Sequence, residues 1–468
     1  MSEDVRVVGA GGPTRAGLVS ALAALGRILD VDADVGSGAD ADADGVLGRC
    51  EAVLDDPARI DAIRHLEDLK NAACAAQAVL AVEFARSQKA EQARRGVPAE
   101  RVGGGVAEQV ALARRESPHA GAVFLGLATI LVTEMPRTLQ AMSRGVLSEY
   151  RARLVVQETS CLSREARAEI DRQVCGDLAR LDTLGTRRLG NLVRGEAARR
   201  DPAGVTARLG HAAEERFVSL RPAPDCMTRL SALLPVAQGV SVLAALQRAS
   251  DTARATGDPR TRGQVMADEL VVRVTGQSSP DAIPIALHLI MPADSLLGEG
   301  VEPGWIAGHG GVPGPVARRL VGSAPRLGSW VRRLWAAPTG GLIAMESRHR
   351  LFPQGLGEFV SIRDDLCRTP YCDAPIRHID HIVAKADGGE TSAANGQGLC
   401  ERCNHAKQAL AWSEVNPHHG PDDDPPERED AGTADRGARG RRFTDPTCQV
   451  TITTPTGHHY LSPDTDTA

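Results

Sequence analysis

Four cysteines stand close together near the C-terminal end of the 468-residue chain. Cys367 and Cys372 are separated by four residues, Cys400 and Cys403 by two. The others, Cys50, Cys74, Cys161, Cys175, Cys226 and Cys448, are scattered. In a reducing compartment, cysteines at such short spacings read as a metal site before they read as disulfides. Two knuckles with 27 residues between them present four thiolates, the ligand count and type of a closed tetrahedral structural zinc site. That frame alone says nothing about activity. The residues set inside it do. Asp380 and His381 lie between Ile379 and Ile382 in a strand-like segment, Gly388–Gly389 marks a turn, and Asn395 sits on the return segment. Successive strand side chains point to opposite faces, so Asp380 and His381 can serve a metal and a reacting water together only where the backbone bends. Cys400 opens a helical segment. Asn404, four residues on, shares its face with the knuckle, and Lys407 follows three residues later.

This order of groups, Asp-His, then Asn, then Cys-x2-Cys-Asn-x2-Lys within a four-cysteine frame, resembles the HNH endonuclease, or ββα-metal, fold. The resemblance implies that His381 is the general base that deprotonates an attacking water and that Asn395 orients it. It implies that Asp380 and Asn404 hold one divalent cation, Mg2+ or Mn2+, and that Lys407 contacts a phosphate. The chemistry fits phosphodiester hydrolysis: a cation neutralises charge on the phosphate and leaving group, and an imidazole titrating near neutrality takes the proton from water. Asn404 stands where many relatives carry histidine. His405 is the alternative ligand, and His378 and His405 otherwise read as surface histidines flanking the site.

Four further segments extend the resemblance: Ala113-Arg-Arg-Glu-Ser-Pro-His119, Glu158-Thr-Ser-Cys-Leu-Ser163, Met291-Pro-Ala-Asp-Ser-Leu-Leu297, and Phe352-Pro with Phe359. Over about residues 50–460 the chain is similar to the domain-of-unknown-function-222 proteins with a C-terminal HNH unit, also called the 13E12 repeat family. The implied activity is metal-dependent endonucleolytic hydrolysis, of DNA before RNA, by a helical protein carrying structural zinc. The helical domain would select the target, self-associate or restrain the nuclease. Two other readings stay open: a catalytically inactive zinc-containing DNA-binding module, and an RNA nuclease.

The elements that must carry these groups read as follows. Asp56 as N-cap and Pro57 at the first helical position open a long helix, with Ile60, Ile63, Leu66, Leu69 and Ala73 at helical spacing, stopped by Gly96-Val97-Pro98. Ser117–Pro118 opens an apolar helix that Pro136 interrupts, and Ser163 caps another. Helical patterning continues to about 220 and again over 227–256, with a break expected at Pro235. Leu270–Val274, Ile283–Met291 and Leu342–Met345 look like strands, Val316–Val321 like a short helix, and Thr447–Tyr460 has modest strand character. The expected fold class is a mainly α N-terminal domain with a small α+β region, followed by a ββα-metal module containing zinc. The expected boundaries are a variable segment over 1–55, the helical domain over 56–345, the HNH module over 346–413, and a flexible linker and tail over 414–468.

Composition narrows the class further. Only 13 residues are aromatic, so the core must be built from aliphatic side chains and alanine, which favours helices. The net charge of −6 argues against a histone-like coating protein but leaves room for a local nucleic-acid site. Between 363 and 412 there are six basic and seven acidic residues, so the module has no strong electrostatic grip of its own. No run approaches 18 apolar residues, no membrane span is expected, and the start lacks an apolar signal core, which leaves the cytoplasm as the default. Asp40, Asp42, Asp44, Gly45 and Glu51 match an EF-hand pattern for calcium, but a low-complexity Asp/Ala/Gly linker explains the match better. The Gly9–Gly12 loop lacks a preceding strand for a dinucleotide site.

Overall fold

The computed structural model describes residues 55–277, 289–291, 295–296, 300–306, 310–323, 351–415 and 449–463. The features at 9–12, 40–51 and 342–345, and most of the 283–291 strand, lie outside the described residues. The chain divides near Gly210 into two compact units.

The first unit opens with α1 (Asp56–Arg94). The cap lies one residue earlier than expected: the Asp55 carboxylate accepts the Ala58 N–H at 2.9 Å, and Pro57 sits in the first turn, where its missing N–H costs nothing. Asn71, Ala75, Ala78, Val82 and Ala85 form its buried stripe at helical spacing. Then follow α2 (Val106–Arg114), α3 (Pro118–Thr133), α4 (Pro136–Ser143), α5 (Glu149–Glu158), α6 (Arg164–Cys175), α7 (Leu178–Thr183), α8 (Thr186–Arg200) and α9 (Pro202–Glu214). Ser148, Ser163 and Asp177 cap α5, α6 and α7 through their side chains. Leu131, Met135, Met142, Leu147, Val155, Ile170, Leu181 and Leu189 form one aliphatic core, as the scarcity of aromatics requires.

Pro136 does break the apolar pattern, and the break creates a helix N-terminus inside the core. Met135 offers no side-chain cap there. Asp171 of α6 supplies it instead, accepting the Arg137 and Thr138 N–H groups at 2.8 Å each and the Thr138 hydroxyl at 2.6 Å.

In the second unit a β-hairpin joins β1 (Phe217–Ala223) to β2 (Met227–Leu233), with Phe217 opposite Leu233 and Ala223 opposite Met227. Helix was expected on both sides of this turn. The correction has a local cause: Asp225 and Cys226 take φ of 61° and 56°, the mirror-image turn that matches strand twist, and Pro235 starts α10 (Val236–Ala255) rather than kinking a longer helix. Leu270–Val274 is also helical, not a strand. It lies in α11 (Arg262–Thr275), whose start carries a Thr261/Gln264 capping box and whose end is Gly276 at φ 69°. Strong signals at both ends override the β-branched run between them. A small antiparallel sheet follows, of β3 (Leu289–Ile290), β4 (Gly304–Ile306) and β5 (Gly310–Val312), with α12 (Gly314–Ser323) packed on it through Ile306, Val312 and Ala317.

The C-terminal region starts with α13 (Gln354–Asp364) and contains the antiparallel pair β6 (His378–His381) and β7 (Gly396–Leu399), then α14 (Glu401–Lys407). Helices α13 and α14 both pack on the β6–β7 pair. Strands form within the segment after 413 where it is described, in keeping with the strand character of Thr447–Tyr460. β8 (Ser413–Val415), β9 (Thr451–Thr453) and β10 (His459–Leu461) form an antiparallel sheet, and Val450 and Ile452 bury themselves with Ile382 against Trp412. The fold class stands as expected: mostly helical with a few small sheets, then a C-terminal ββα region holding four clustered cysteines. Among the described residues no single helix is long and apolar enough to cross a membrane.

Replacing Asp171 by alanine strands two buried N–H groups and a hydroxyl. We expect a loss of about 2–4 kcal/mol of unfolding free energy, measured by urea denaturation of the variant against the wild type.

Candidate active site

The four sulfur atoms of Cys367, Cys372, Cys400 and Cys403 lie within 4.8 Å of one another. Two of the sulfur–sulfur distances are 3.7 Å (Cys372–Cys400) and 3.6 Å (Cys372–Cys403). A zinc–sulfur bond of about 2.3 Å gives a tetrahedron with edges of about 3.8 Å. The sulfurs thus occupy the corners a zinc ion needs. The first knuckle is a tight turn in which the Cys367 N–H donates to the Ala374 carbonyl and the Cys372 N–H to Thr369, with Tyr371 and Asp373 at positive φ. The second is the start of α14: Cys400 is its N-cap, and its sulfur accepts the Cys403 N–H. Hydrogen bonds from Cys367, Cys372 and Cys403 pull the Cys400 thiol down, while the thiols of Cys372 and Cys403, facing Cys367 first, are pushed up.

Between the knuckles, β6 and β7 pair with Asp380 opposite Gln397 and His381 opposite Gly396. His381 ends β6 and is buried. Its ring lies against Phe352, with centroids 4.6 Å apart, and its Nε2 is 2.9 Å from the Thr391 hydroxyl. Burial holds the imidazole pKa below its usual value. The Asp380 charge opposes that shift, and Lys385 and Lys407 add to it. A lowered pKa means that the ring is neutral at neutral pH.

Asn395 does not spend its side chain on His381. Its amide oxygen accepts the Val383 N–H at 2.8 Å, and its amide nitrogen donates to the Val383 and Glu390 carbonyls at 3.0 and 2.7 Å. It clamps the loop between β6 and β7, and the group bonded to the imidazole is Thr391. Gly388 has φ 92°, and a Cβ on Gly389 would meet the Val383 carbonyl at 1.8 Å, so this turn requires both glycines. From the other side, Arg363 of α13 donates to the Ala393 and Gly396 carbonyls at 2.6 and 2.7 Å, while Asp364 accepts the Gly398 N–H at 2.7 Å.

Helix α14 places the remaining groups. Asn404 presents a buried Oδ1 that has no hydrogen-bond partner among the described residues. One turn on, the Lys407 ammonium lies 3.0 Å from Asp380 Oδ2 and 3.1 Å from Glu414 Oε2, and it also donates to the His381 carbonyl. An ammonium has three N–H donors, and these three acceptors account for them. The charge of Lys407 is thus held within the module by these three acceptors. His378 and His405 are exposed.

Two family models match the chain. One, described as domain of unknown function (DUF222), covers residues 63–364, and the other, described as HNH endonuclease, covers 367–410. The first spans well over half of the chain. The chain belongs to the DUF222 family and carries a C-terminal HNH endonuclease domain, which implies a metal-dependent, nuclease-type function. No curated protein and no solved structure matches it.

Three contributors to the site escaped the sequence reading, Arg363, Thr391 and Glu414, and Phe352 was read only as part of a family segment. Thr391 carried a signal, since it lies one residue beyond the Gly-Gly-x unit on the return segment. Arg363 and Glu414 carried none, because their roles depend on contacts with distant segments.

Metal analysis of protein purified without chelator should find about one zinc per chain. Cys403→Ser should unfold the C-terminal region, because a structural zinc can supply on the order of 10 kcal/mol of folding free energy. Loss of zinc together with loss of protease protection over 367–415 checks it.

Proposed function

We propose that this protein is a metal-dependent endonuclease that hydrolyses phosphodiester bonds, with His381 as general base and DNA as the substrate. The observation that carries the reading is the state of His381. It is a buried imidazole, held below its usual pKa, fixed at one nitrogen by Thr391 and on one face by Phe352. With Nε2–H donating to Thr391, Nδ1 carries the lone pair. Nδ1 then takes a proton from water as the water oxygen bonds to phosphorus, and the bond from phosphorus to the leaving oxygen breaks.

Asp380 and Asn404 would hold the divalent cation, Mg2+ or Mn2+. The donor set fits: a carboxylate and an amide oxygen are hard ligands, and the Asn404 Oδ1 is buried without a partner, a condition that costs about 1–3 kcal/mol unless a donor or cation meets it. Such a cation neutralises charge on the phosphate and on the leaving oxygen. DNA rather than RNA rests on the family resemblance. The zinc thiols suit a reducing compartment such as the cytoplasm.

A supercoiled-plasmid assay with Mg2+ or Mn2+ tests the reading. Wild type should nick or linearise the plasmid, and His381→Ala should cut the rate by about 10²–10⁴-fold while retaining zinc. Thr391→Val should lower kcat with little change in KM, and Thr391→Ser, which keeps the hydroxyl, should restore it. A wild-type protein that binds DNA and keeps zinc but cleaves no nucleic acid with either ion would establish the inactive zinc-module alternative.

The pH profile adds a signed expectation. Only the neutral imidazole accepts a proton, and the folded pKa lies below the ordinary histidine value of about 6.5. Cleavage should therefore rise with pH along a limb whose midpoint falls below about 6.5 and be flat above neutrality.

A further inference from the structure

We propose, resting on the reading above, that Lys407 is a resident monocation competing with the divalent ion for Asp380, and that Glu414 is the carboxylate on which Lys407 is parked. Four side chains close a ring on one side of the β6–β7 pair. Asp380 faces Gln397 across the strand register. The Gln397 amide donates to Glu414 Oε2, Glu414 holds Lys407 at 3.1 Å, and Lys407 holds Asp380 at 3.0 Å. The Glu414 side chain is 4% exposed and that of Lys407 13%, so solvent screens these charges weakly.

Glu414 lies on β8, beyond residues 367–410 that match the HNH endonuclease model. It is thus an addition to the module from the segment after it. Its effect follows from counting charge. Asp380 and Lys407 alone sum to zero, and a neutral pair offers a cation no net attraction. Glu414 brings the group to minus one when its carboxylate is ionised; burial pushes its pKa up, and Lys407 and the Gln397 amide, both in contact with it, oppose that rise. Lys407 keeps two acceptors, the Glu414 carboxylate and the His381 carbonyl, once Asp380 turns to the divalent ion.

The two partners therefore have opposite effects on cation affinity, which a purely structural role does not produce. The test is Mn2+ binding followed by electron paramagnetic resonance on the full-length, zinc-loaded chain, with Asp380→Ala defining the signal from this site. Lys407→Met should tighten Mn2+ binding by about tenfold, and Glu414→Gln should weaken it by about tenfold. Glu414→Asp, which keeps the charge, should stay within about threefold of wild type. If Glu414→Gln loses zinc, Lys407→Met and Glu414→Asp carry the test. Zinc-loaded variants whose affinities move in the same direction, or do not move, overturn the inference. A wild-type chain that binds Mn2+ no better than Asp380→Ala overturns the nuclease reading itself, and this inference with it.

Discussion

Four sulfur atoms must meet at one point although 27 residues separate the two turns that carry them. That requirement organises the C-terminal region. The cysteine cluster packs chiefly with Leu399 and Ala374, an apolar core too small to hold a fold by burial alone. Once the second knuckle is fixed at Cys400, the end of β7 and the start of α14 are fixed with it. Asn404 and Lys407 then project from a helix whose phase is set by the sulfurs rather than by helix propensity. The oxygen and nitrogen groups of Asn404 and Lys407 inherit their positions from the cysteine cluster.

Buried charge does the work that apolar area does not. The Arg363 and Asp364 side chains are almost fully enclosed and paired, and both spend their remaining hydrogen bonds on the backbone of the β6–β7 region. Such a pair is worth little as an ion pair, since desolvation offsets most of the attraction. Its value here is geometric: it holds Ala393, Gly396 and Gly398 in the path that brings Asn395 and Thr391 under the loop. On the other side, Arg368 donates to the Ser462 hydroxyl, and Ser462 also accepts the Val450 N–H. The last described strands are thereby tied to the first knuckle.

The sequence pattern made the zinc frame, the order of the site groups and the helical character of the first unit legible, because each is a local matter of spacing. Four thiolates at knuckle spacing have few other uses, and caps such as Ser163 act within one turn. The misreadings share a different cause. Leu270–Val274 has strand-like composition, but the capping box before it and the glycine after it decided the outcome. The hairpin at 217–233 depends on two non-glycine residues at positive φ, which composition does not announce. The role given to Asn395 passed to Thr391, since only the folded loop shows which side chain reaches the imidazole. The pairing of Lys407 with Glu414 was not legible, because Glu414 stood in a segment that looked like linker.

The boundary between the two matched regions falls at residues 364–367, yet the physical boundary does not. Helix α13 and Phe352 belong by sequence to the first match, and both pack on the second, α13 on the strand pair and Phe352 on the His381 ring. A Cβ on Gly396 would meet the Phe352 ring at 2.8 Å, so the glycine and the aromatic ring fit one another across the boundary. Glu414 and the β9–β10 strands do the same from the far end. The segment over 367–410 therefore holds the four cysteines, His381, Thr391 and Asn395, while Phe352, Arg363, Asp364 and Glu414 reach it from the chain on either side. The environment of His381 is thus a property of the longer unit rather than of the matched module.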